Sequence, residues 1–358
     1  MEVIQLSSMI IKSSIKDYKL SFVQNFDKSL YKAYNDGDFF IVDEKVFNLY
    51  KDKINSNKWK KNVILIKASE NQKSFLELAP VIDKLINNGF RKNNTLFSIG
   101  GGIIQDITAF ISSIMYRGVD WVHIPTTLLA QGDSCIGSKT SINFGKFKNQ
   151  LGNFYSPKEI FIDVNFLKTL DDADFISGLG EMAHYFLVSS QEDFLYFKSE
   201  YHNAKNDLNV LKLLIIRSLE IKKSYIEIDE FDQNERQVFN YGHSFGHAIE
   251  SLTNYRIPHG IAVSIGMDMS NFMSVKYGYM TDKDRQEIRI LLKEIWNGYS
   301  IDDIQLKNME IALLKDKKNK NGKLGLILSK GPGKTFKEFK DLDSNFSIWL
   351  KEYFLNEI

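Results

Sequence analysis

The sequence predicts two domains, an α/β domain with a parallel sheet followed by a mainly α-helical domain. Its 358 residues exceed what one ordinary hydrophobic core holds. Short apolar runs alternate with amphipathic stretches up to about residue 165, which is the pattern of βαβ units. Beyond that point helical patterns replace the strand-like runs, so we place the domains at residues 1–165 and 166–358.

The individual elements follow from these runs in order. In the first half, examples are DFFIVDEKVFNLY (38–50), NVILIKA (62–68), FLELAPVIDKLINNGF (75–90), TLFSIGGG (95–102) and WVHIPTT (121–127). The second half contains a long helical pattern at 207–230 and a late run, GKLGLILSKGPGK (322–334), that could form a short hairpin. The crevice between two such domains is the default place for a ligand.

Charge and composition exclude several classes of protein. Lys+Arg at 46 against Asp+Glu at 45 leave a formal charge of +1, so no global field attracts nucleic acid or an anionic membrane. The single cysteine, Cys135, excludes an internal disulfide and a multi-cysteine zinc site, and it agrees with a reducing compartment. Neither a signal-peptide pattern nor a membrane-length apolar stretch occurs, so we expect a cytoplasmic protein.

Three consecutive glycines, Gly100, Gly101 and Gly102, follow an apolar run and precede a helical stretch that contains Asp106. Backbone without side chains can approach a phosphate closely there, and the helix N-terminus supplies N–H donors. Glycine runs also end strands for purely conformational reasons, and this run is not the GxGxxG fingerprint of an ordinary Rossmann dehydrogenase. Asp43, after the strand FFIV, is suited to accept from a ribose hydroxyl and equally to cap a helix.

Histidines and one glutamate form a candidate metal site. The run NYGHSFGHAIE places His243 and His247 four residues apart, on one face of a predicted helix. RIPHG places His259 at a predicted helix start, and GLGEMAHYF places Glu181 near the start of another helix. Two imidazoles and a carboxylate with an open position are a familiar ligand set for catalytic zinc. The alternative is a helix that carries two histidines for other reasons.

Several cations are candidates for anion binding because they stand beside glycines, turn residues or the histidine motif, although most lysines are solvated surface charges. They are Arg117, Lys139, Lys148, Lys222, Arg236, Lys317 and Lys318.

Six motifs, in this order and at these separations, resemble those of 3-dehydroquinate synthase and its sugar-phosphate-cyclase relatives. They are GGGIIQD, YRGVDWVHIPTTLLAQGDSCIGSKTSIN, KNQLGNFYSPK, GLGEMAHY, NERQVFNYGHSFGHAIE and IPHG. The similarity runs from roughly residue 38 to about residue 330. The family has an NAD-binding α/β domain and a helical domain that carries a metal, usually in a homodimer. The resemblance therefore implies a dehydroquinate-synthase-like fold, in agreement with the division read from the residues alone.

The resemblance also implies roles for individual residues. The implied ligands of a zinc or cobalt ion are Glu181, His243 and His259. The implied contacts of a phosphorylated sugar acid are Asp133, Lys139, Asn149, Lys222, Arg236, Asn240, His247 on the phosphate side or as a proton relay, and Lys317, with Lys318 as its alternative. The implied contacts of NAD are Asp43, Glu70, Lys73, Gly100, Gly101, Gly102, Asp106, Thr126, Thr127 and Asp133, with Lys148 in the loop of Asn149. Arg117 matches an arginine that reaches into the neighbouring subunit's site, which makes dimerisation part of the implied mechanism.

The implied reaction converts 3-deoxy-arabino-heptulosonate 7-phosphate to 3-dehydroquinate and phosphate, in the shikimate pathway to aromatic amino acids. The metal lowers the pKa of a ring hydroxyl, NAD oxidises it, and phosphate is eliminated. Return of the hydride, ring opening and an aldol step then close a carbocycle. A substrate with a phosphate and a carboxylate needs several convergent cations.

Several positions depart from the family pattern. The exchanges are His184 for lysine beside the metal-ligating glutamate, Ser138 and Ser141 for glycines, Gln105 for glycine and Ile261 for an acid. They leave the metal and NAD residues intact and put the choice of sugar phosphate in question. Lys222 and Arg236 are retained, which favours a carboxylated substrate. We retain His184 as a substrate contact.

Three other functions stay open. A sister cyclase would act on another sugar phosphate, such as sedoheptulose 7-phosphate, in secondary or surface-sugar metabolism, and His184 would support it. A metal-dependent polyol dehydrogenase would release NADH, and the cations Lys139, Lys148 and Arg236 argue against it because a neutral polyol needs no such charge. A non-catalytic descendant would be expected to have lost a metal ligand, and no ligand is lost.

Overall fold

The computed structural model describes residues 8–54, 60–145, 147–316 and 318–358. These residues form two compact units. The first comprises the chain up to Leu170 together with Lys222–Phe231, and the second comprises Asp171–Ile221 with Asp232–Ile358.

The first unit alternates strands and helices. Its strands are β1 (Ser8–Ile11), β2 (Tyr18–Phe22), β3 (Phe39–Asp43), β4 (Val63–Ile66), β5 (Leu96–Gly100), β6 (Trp121–Pro125), β7 (Ile142–Phe144), β8 (Phe147–Leu151) and β9 (Glu159–Ile162). Its helices are α1 (Phe26–Ala33), α2 (Glu44–Leu49), α3 (Lys51–Ile54), α4 (Phe75–Asn87) and α5 (Gly102–Ile114).

Seven of these strands form one sheet in the order β1-β2-β9-β6-β5-β3-β4. The edge strand β1 is antiparallel to β2, and the other neighbouring pairs are parallel. Helices cover both faces, which explains why the strands are near-continuous apolar runs. The predicted parallel-sheet α/β fold is confirmed. The remaining strands, β7 and β8, pair as a separate hairpin.

The strand order reverses between β3 and β5. These strands are neighbours, with Val42 opposite Ile99. The helices that follow them pack on opposite faces: Val46 and Ile54 join one core cluster, and Ile104 joins the other. Ligands of open α/β sheets bind beyond the carboxyl ends of the strands at such a switch point. The candidate nucleotide site therefore lies at the carboxyl edge of β3 and β5.

The second unit is mainly helical, as predicted. Its elements are α6 (Asp172–Ser189), α7 (Gln191–Ala204), α8 (Leu208–Ile226, counted in the first unit from Lys222), α9 (His243–Leu252), α10 (His259–Lys276), α11 (Asp282–Ile295), α12 (Leu306–Leu314), β10 (Leu324–Ser329), β11 (Thr335–Lys340) and α13 (Ser344–Asn356). Helix α10 is buried along almost its whole length and packs against α6, α9 and α11. Strands β10 and β11 form the late hairpin, whose second strand follows the predicted run.

Within the described part of the chain, no helix is long and apolar enough to cross a membrane.

Candidate functional site

Three helices of the second unit bring Glu181, His243 and His259 together. Glu181 lies in α6, and the two histidines are the first residues of α9 and α10. His243 Nε2 is 3.5 Å from Glu181 Oε1, and His259 Nε2 is 3.4 Å from Glu181 Oε2. Donors about 2.1 Å from a tetrahedrally coordinated metal lie about 3.4 Å from one another. The donor set therefore fits a divalent cation, and its three ligand atoms all lie within 4.8 Å.

Hydrogen bonds fix both rings with Nε2 toward the carboxylate. His243 Nδ1 donates to the Tyr241 carbonyl oxygen at 3.1 Å, and His259 Nδ1 donates to Glu250 Oε2 at 3.0 Å. A neutral ring that carries its proton on Nδ1 keeps the Nε2 lone pair for a metal. Glu181 Oε2 is buried without a hydrogen-bond partner among the described residues. A bound cation would satisfy this acceptor.

The charges around Glu181 keep it ionised. Burial raises the pKa of Glu181, but its interactions with the imidazoles of His243 and His184 outweigh burial and hold that pKa well below its usual range. Burial likewise lowers the pKa of His259, and the carboxylates of Glu250 and Glu181 raise it well above the usual value. An ionised carboxylate is what a metal site requires.

Glycines allow α6 and α10 to cross closely enough to form this site. A Cβ at Gly180 would collide with the carbonyl oxygen of Gly260. These glycines are the chain neighbours of Glu181 and His259, so the close crossing sets the separation of the two ligands. The prediction that Glu181 lies near a helix start was wrong, because it lies in the middle of α6. Glycine is unfavourable in helix interiors, which made the GLG run resemble a boundary, but here it serves packing.

Two further histidines lie beside the three donors. His184 is buried, and its Nδ1 donates to the Glu181 carbonyl oxygen at 2.5 Å and lies 3.4 Å from Glu181 Oε1. The His247 ring is stacked on that of His259, with centroids 5.7 Å apart. Desolvation lowers the pKa of His247, and the charge of Lys318 lowers it further, so this ring is neutral at pH 7. Their roles toward a substrate stay predictions.

In the first unit, the glycine run joins β5 to α5. Gly100 is the last residue of β5 and Gly102 the first of α5. A Cβ on Gly100 would collide with Ile104, and one on Gly101 with Thr127, so packing accounts for both glycines. Gly102 has room for a Cβ. Close approach of a ligand to the helix N-terminus remains a reason for glycine there.

Asp43 is the last residue of β3, beside the glycine run in the sheet. Its Oδ1 accepts from the Lys45 backbone N–H at 2.9 Å, so it caps α2. Burial raises the pKa of Asp43, and the capping hydrogen bond opposes that shift. The capping role is confirmed, and the ribose contact stays a prediction.

Five of the residues assigned from the resemblance form a polar network. Lys73 Nζ lies 2.6 Å from Asp106 Oδ2 and donates to Asn149 Oδ1 at 2.9 Å. Lys148 Nζ lies 3.6 Å from Glu70 Oε1. Burial raises the pKa of Asp106, and the charge of Lys73 opposes that shift. The structure therefore places together residues that are far apart in the sequence.

Asp133 lies in a π-helical turn, Ala130–Ser134, that follows β6. Lys222 Nζ donates to the Asp133 carbonyl oxygen at 2.7 Å and to Asp133 Oδ1 at 2.8 Å. Thr127 Oγ1 accepts from the Ala130 backbone N–H at 3.2 Å and so caps the start of the turn. Thr126 is buried, and its Oγ1 has no hydrogen-bond partner within the described ranges.

Three further predicted substrate contacts lie in other segments of the chain. Lys139 is exposed and forms an isolated backbone bridge with Phe154. Arg236 is buried in a 3-10 turn, Glu235–Asn240. Asn240 ends that turn, and its side chain donates to the Gln237 carbonyl oxygen at 3.0 Å.

The remaining basic residues that were predicted to contact an anion are Lys317, with its alternative Lys318, and Arg117. Lys317 lies outside the described residues, while Lys318 Nζ lies 2.8 Å from Asp316 Oδ2. Arg117 is exposed and has a left-handed backbone, with φ of 63°.

Two comparisons with known sequences decide the family. Residues 63–177 match the family model described as 3-dehydroquinate synthase N-terminal, and residues 178–319 match the one described as 3-dehydroquinate synthase C-terminal. A 3-dehydroquinate synthase of Dictyoglomus thermophilum is 34% identical over 336 residues, which are 90% of this chain and 92% of the relative. The chain belongs to the 3-dehydroquinate synthase family. The resemblance inferred from the motifs is confirmed.

Two solved structures share the fold across nearly the whole chain. A 2-epi-5-epi-valiolone synthase from Streptomyces hygroscopicus subsp. jinggangensis, with NAD+ and Zn2+ bound, has a TM-score of 0.85 at 23% identity and covers 97% of this chain and 99% of its own. A 2-deoxy-scyllo-inosose synthase complexed with carbaglucose-6-phosphate, NAD+ and Co2+ has a TM-score of 0.82 at 21% identity, with the same coverage. At these identities the likeness shows the fold, and the predicted family fold is confirmed.

The structure adds two residues that the sequence-based assignment missed. Asn143 donates to Glu70 Oε1 at 2.7 Å and accepts from the Asn149 backbone N–H at 2.9 Å, so it connects two assigned residues. Glu250 holds His259, as described above. Both stand inside family motifs, SKTSIN and GHAIE. For Glu250 the signal was its spacing of seven residues from His243, which places it on the same helical face.

Proposed function

We propose that this chain is a 3-dehydroquinate synthase, a carbon–oxygen lyase that converts 3-deoxy-arabino-heptulosonate 7-phosphate to 3-dehydroquinate and phosphate. The observation that carries the proposal is a complete metal-donor set, Glu181, His243 and His259, in a member of this family. A chain that had lost the reaction would not need to keep three donors at metal-binding separations.

We assign NAD binding to the first unit and the metal to the second. The adjacent ends of β3 and β5, with Asp43 and the glycine run, have the position of a dinucleotide site. The network of Glu70, Lys73 and Asp106, together with Thr126, Thr127, Asp133 and Lys148, would complete it. Both structural neighbours have NAD+ bound, and we propose the same cofactor for this chain.

The residues present fit both groups. When bound, NAD supplies a hydride acceptor that is regenerated in each turnover, and zinc or cobalt lowers the pKa of a substrate hydroxyl. Glu181, His243 and His259 hold the cation. The Tyr241 carbonyl and Glu250 keep the two rings in the tautomer that presents Nε2.

The basic residues bind the two anionic ends of the substrate. We assign the buried Arg236 to the carboxylate, because a guanidinium can bind it with two parallel hydrogen bonds. We assign His247, with Lys318 or Lys317, to the phosphate. A neutral His247 also has a ring nitrogen that can accept a proton during the reaction. Lys139, Asn149, His184, Lys222 and Asn240 are further proposed contacts.

We further propose a homodimer in the cytoplasm, in which Arg117 reaches the neighbouring subunit's site. The exposed position of Arg117 supports a role outside its own core. The single cysteine, Cys135, is buried and free, which agrees with a reducing compartment.

The deciding experiment measures phosphate release with NAD and zinc or cobalt present. We expect release from 3-deoxy-arabino-heptulosonate 7-phosphate, without accumulation of NADH, because the hydride is returned. Release from sedoheptulose 7-phosphate alone would instead identify a sister cyclase. Steady accumulation of NADH would identify a dehydrogenase. No specific observation in the structure favours either alternative.

A further inference from the structure

Gln105 and Ser134 form a reciprocal hydrogen-bonded pair in the first unit. Gln105 lies in the first turn of α5, three residues after Gly102, and Ser134 ends the π-helical turn that contains Asp133. Gln105 Nε2 donates to the Ser134 carbonyl oxygen at 2.6 Å, and Ser134 Oγ donates to Gln105 Oε1 at 2.7 Å. The glutamine is only 6% exposed, so water competes little for these bonds.

The pair satisfies the carbonyl group of Ser134 at the end of the turn. The last carbonyl groups of a helical turn often need partners from outside it. The Ser134 carbonyl accepts from Gln105, and the neighbouring Asp133 carbonyl accepts from Lys222 as well as from local backbone N–H groups. A buried carboxamide that is bonded at both ends has one favourable orientation, so it fixes both segments that it connects.

The other side of the turn is fastened to the sheet. Gln131 Nε2 donates to the Pro125 carbonyl oxygen at the end of β6 and to the Asp163 carbonyl oxygen just after β9, both at 3.0 Å. Gln131 is fully buried. With the sheet on one side and α5 on the other, the turn has little freedom, and the Asp133 carboxylate is held where Lys222 contacts it.

We propose that Gln105 and Ser134 are positioning residues that fix Asp133 and Lys222 relative to the glycine run at the start of α5. The inference rests on the proposed function, in which the glycine run and Asp133 contact NAD. Neither residue of the pair needs to touch a ligand. Together they hold the two NAD-binding segments in register, because they form a direct polar connection between them.

The test uses the full-length holoenzyme and measures the dissociation constant of NAD together with kcat and KM. Gln105→Leu preserves approximate size and removes both bonds, and Ser134→Ala removes one donor. We expect Gln105→Leu to weaken NAD binding about tenfold, which corresponds to the loss of one to two buried hydrogen bonds. The double variant should lose little more than Gln105→Leu alone, because the two side chains act as one unit.

A conservative variant separates positioning from general loosening. Gln105→Glu keeps the shape, but its ionised carboxylate cannot donate to the Ser134 carbonyl oxygen. Burial raises the pKa of such a carboxyl, and the protonated form regains a donor. We expect the affinity of this variant for NAD, relative to that of the wild type, to rise between about pH 8 and about pH 6. Gln105→Leu should show no such rise.

The matched control is Thr108→Val, in the same helix. Thr108 is buried, and its Oγ1 donates to the Ile104 carbonyl oxygen at 2.7 Å, a hydrogen bond within α5 itself. It should lower stability and leave the affinity for NAD unchanged. Equal weakening by Thr108→Val and Gln105→Leu, or wild-type NAD binding in Gln105→Leu, would overturn the positioning role alone. A wild-type protein that binds no NAD would overturn the proposed function and this inference with it.

Discussion

Glu250 supports the proposed metal site through His259, whose other ring nitrogen faces Glu181. Loss of such a partner typically weakens metal affinity about 10- to 100-fold. We therefore predict a loss in this range for Glu250→Ala and a smaller one for Glu250→Gln, which keeps an acceptor without the charge. Competition of the metal-free protein with a chromophoric chelator for zinc measures both.

The surface offers a matched control for this carboxylate–histidine pair. His202 Nε2 lies 3.1 Å from Glu294 Oε2, and both side chains are largely exposed. Glu294→Ala should therefore leave zinc affinity unchanged. Removing a ligand itself, as in His259→Ala, should abolish zinc binding and activity together. Wild-type affinity in Glu250→Ala would refute the positioning role, and wild-type activity in His259→Ala would refute the metal site.

The three clustered donors could be selected from residue type, spacing and motif, whereas the residues that support them were not. Imidazoles and carboxylates are common metal donors, and His243, His259 and Glu181 lie within family motifs. These two properties made them recognisable as candidate donors. Gln105 stood out only as an exchange for glycine. Its partner Ser134 is 29 residues away, and a sequence does not specify which carbonyl a side chain reaches. Such pairings depend on the folded positions of α5 and the Asp133 turn.

Among the elements, the central buried strands were predictable and the most exposed strand was not. Strands β3, β5 and β6 are buried apolar runs because helices cover both faces of the sheet. Strand β8, FKNQL, is largely exposed and has no apolar run to reveal it. In the late hairpin, the buried strand β10 fell inside the predicted run, and its partner β11, TFKEFK, fell outside.

Helices α10, α11 and α13 are joined by a buried ionic cluster. Asp268 is fully buried and accepts from Arg285 and Arg289 of α11 and from Tyr353 of α13. Without Asp268, Arg285 and Arg289 would keep the partly exposed Glu357 as a counter-charge but would lose their fully buried one. We predict that Asp268→Asn destabilises the protein by about 3–5 kcal/mol, because Arg285 is only 1% exposed.

Urea unfolding followed by circular dichroism measures this effect. The control is Arg256→Ala, which removes the exposed ion pair with Asp303 and should cost less than about 1 kcal/mol. Similar midpoints for both variants would show that the buried cluster contributes no more to stability than a surface pair.

At the scale of the whole molecule, the sequence did not predict that Lys222–Phe231 belongs to the first unit. The pattern at 207–230 indicated one helix, and α8 does run through the point where the unit changes. The assignment depends on contacts such as that between Lys222 and Asp133, which are 89 residues apart. Local periodicity reports which face of a helix is buried, but not which unit buries it.

In the proposed homodimer, Arg117 is the residue that each subunit would contribute to the active site of the other. Tyr116 and Arg117 both have left-handed backbones, with φ of 51° and 63°, and Gly118 follows with φ of 108°. Such conformations in non-glycine residues cost free energy and concentrate at functional positions. Arg117 is the second of two successive residues with a strained backbone, and its guanidinium is exposed. Both properties agree with an arginine that contacts a partner subunit.

A mixed dimer tests this arrangement. Arg117→Ala and His259→Ala should each be inactive as homodimers, whereas a heterodimer purified through two different tags contains one site with a wild-type metal centre and a wild-type arginine. We predict that it recovers about half of the wild-type activity, because one of two symmetry-related sites is intact. A Glu181→Ala/His259→Ala heterodimer, in which both metal centres are broken, should stay inactive. If the Arg117→Ala/His259→Ala heterodimer is equally inactive, Arg117 acts within its own subunit; if the Arg117→Ala homodimer is active, it is not needed at all.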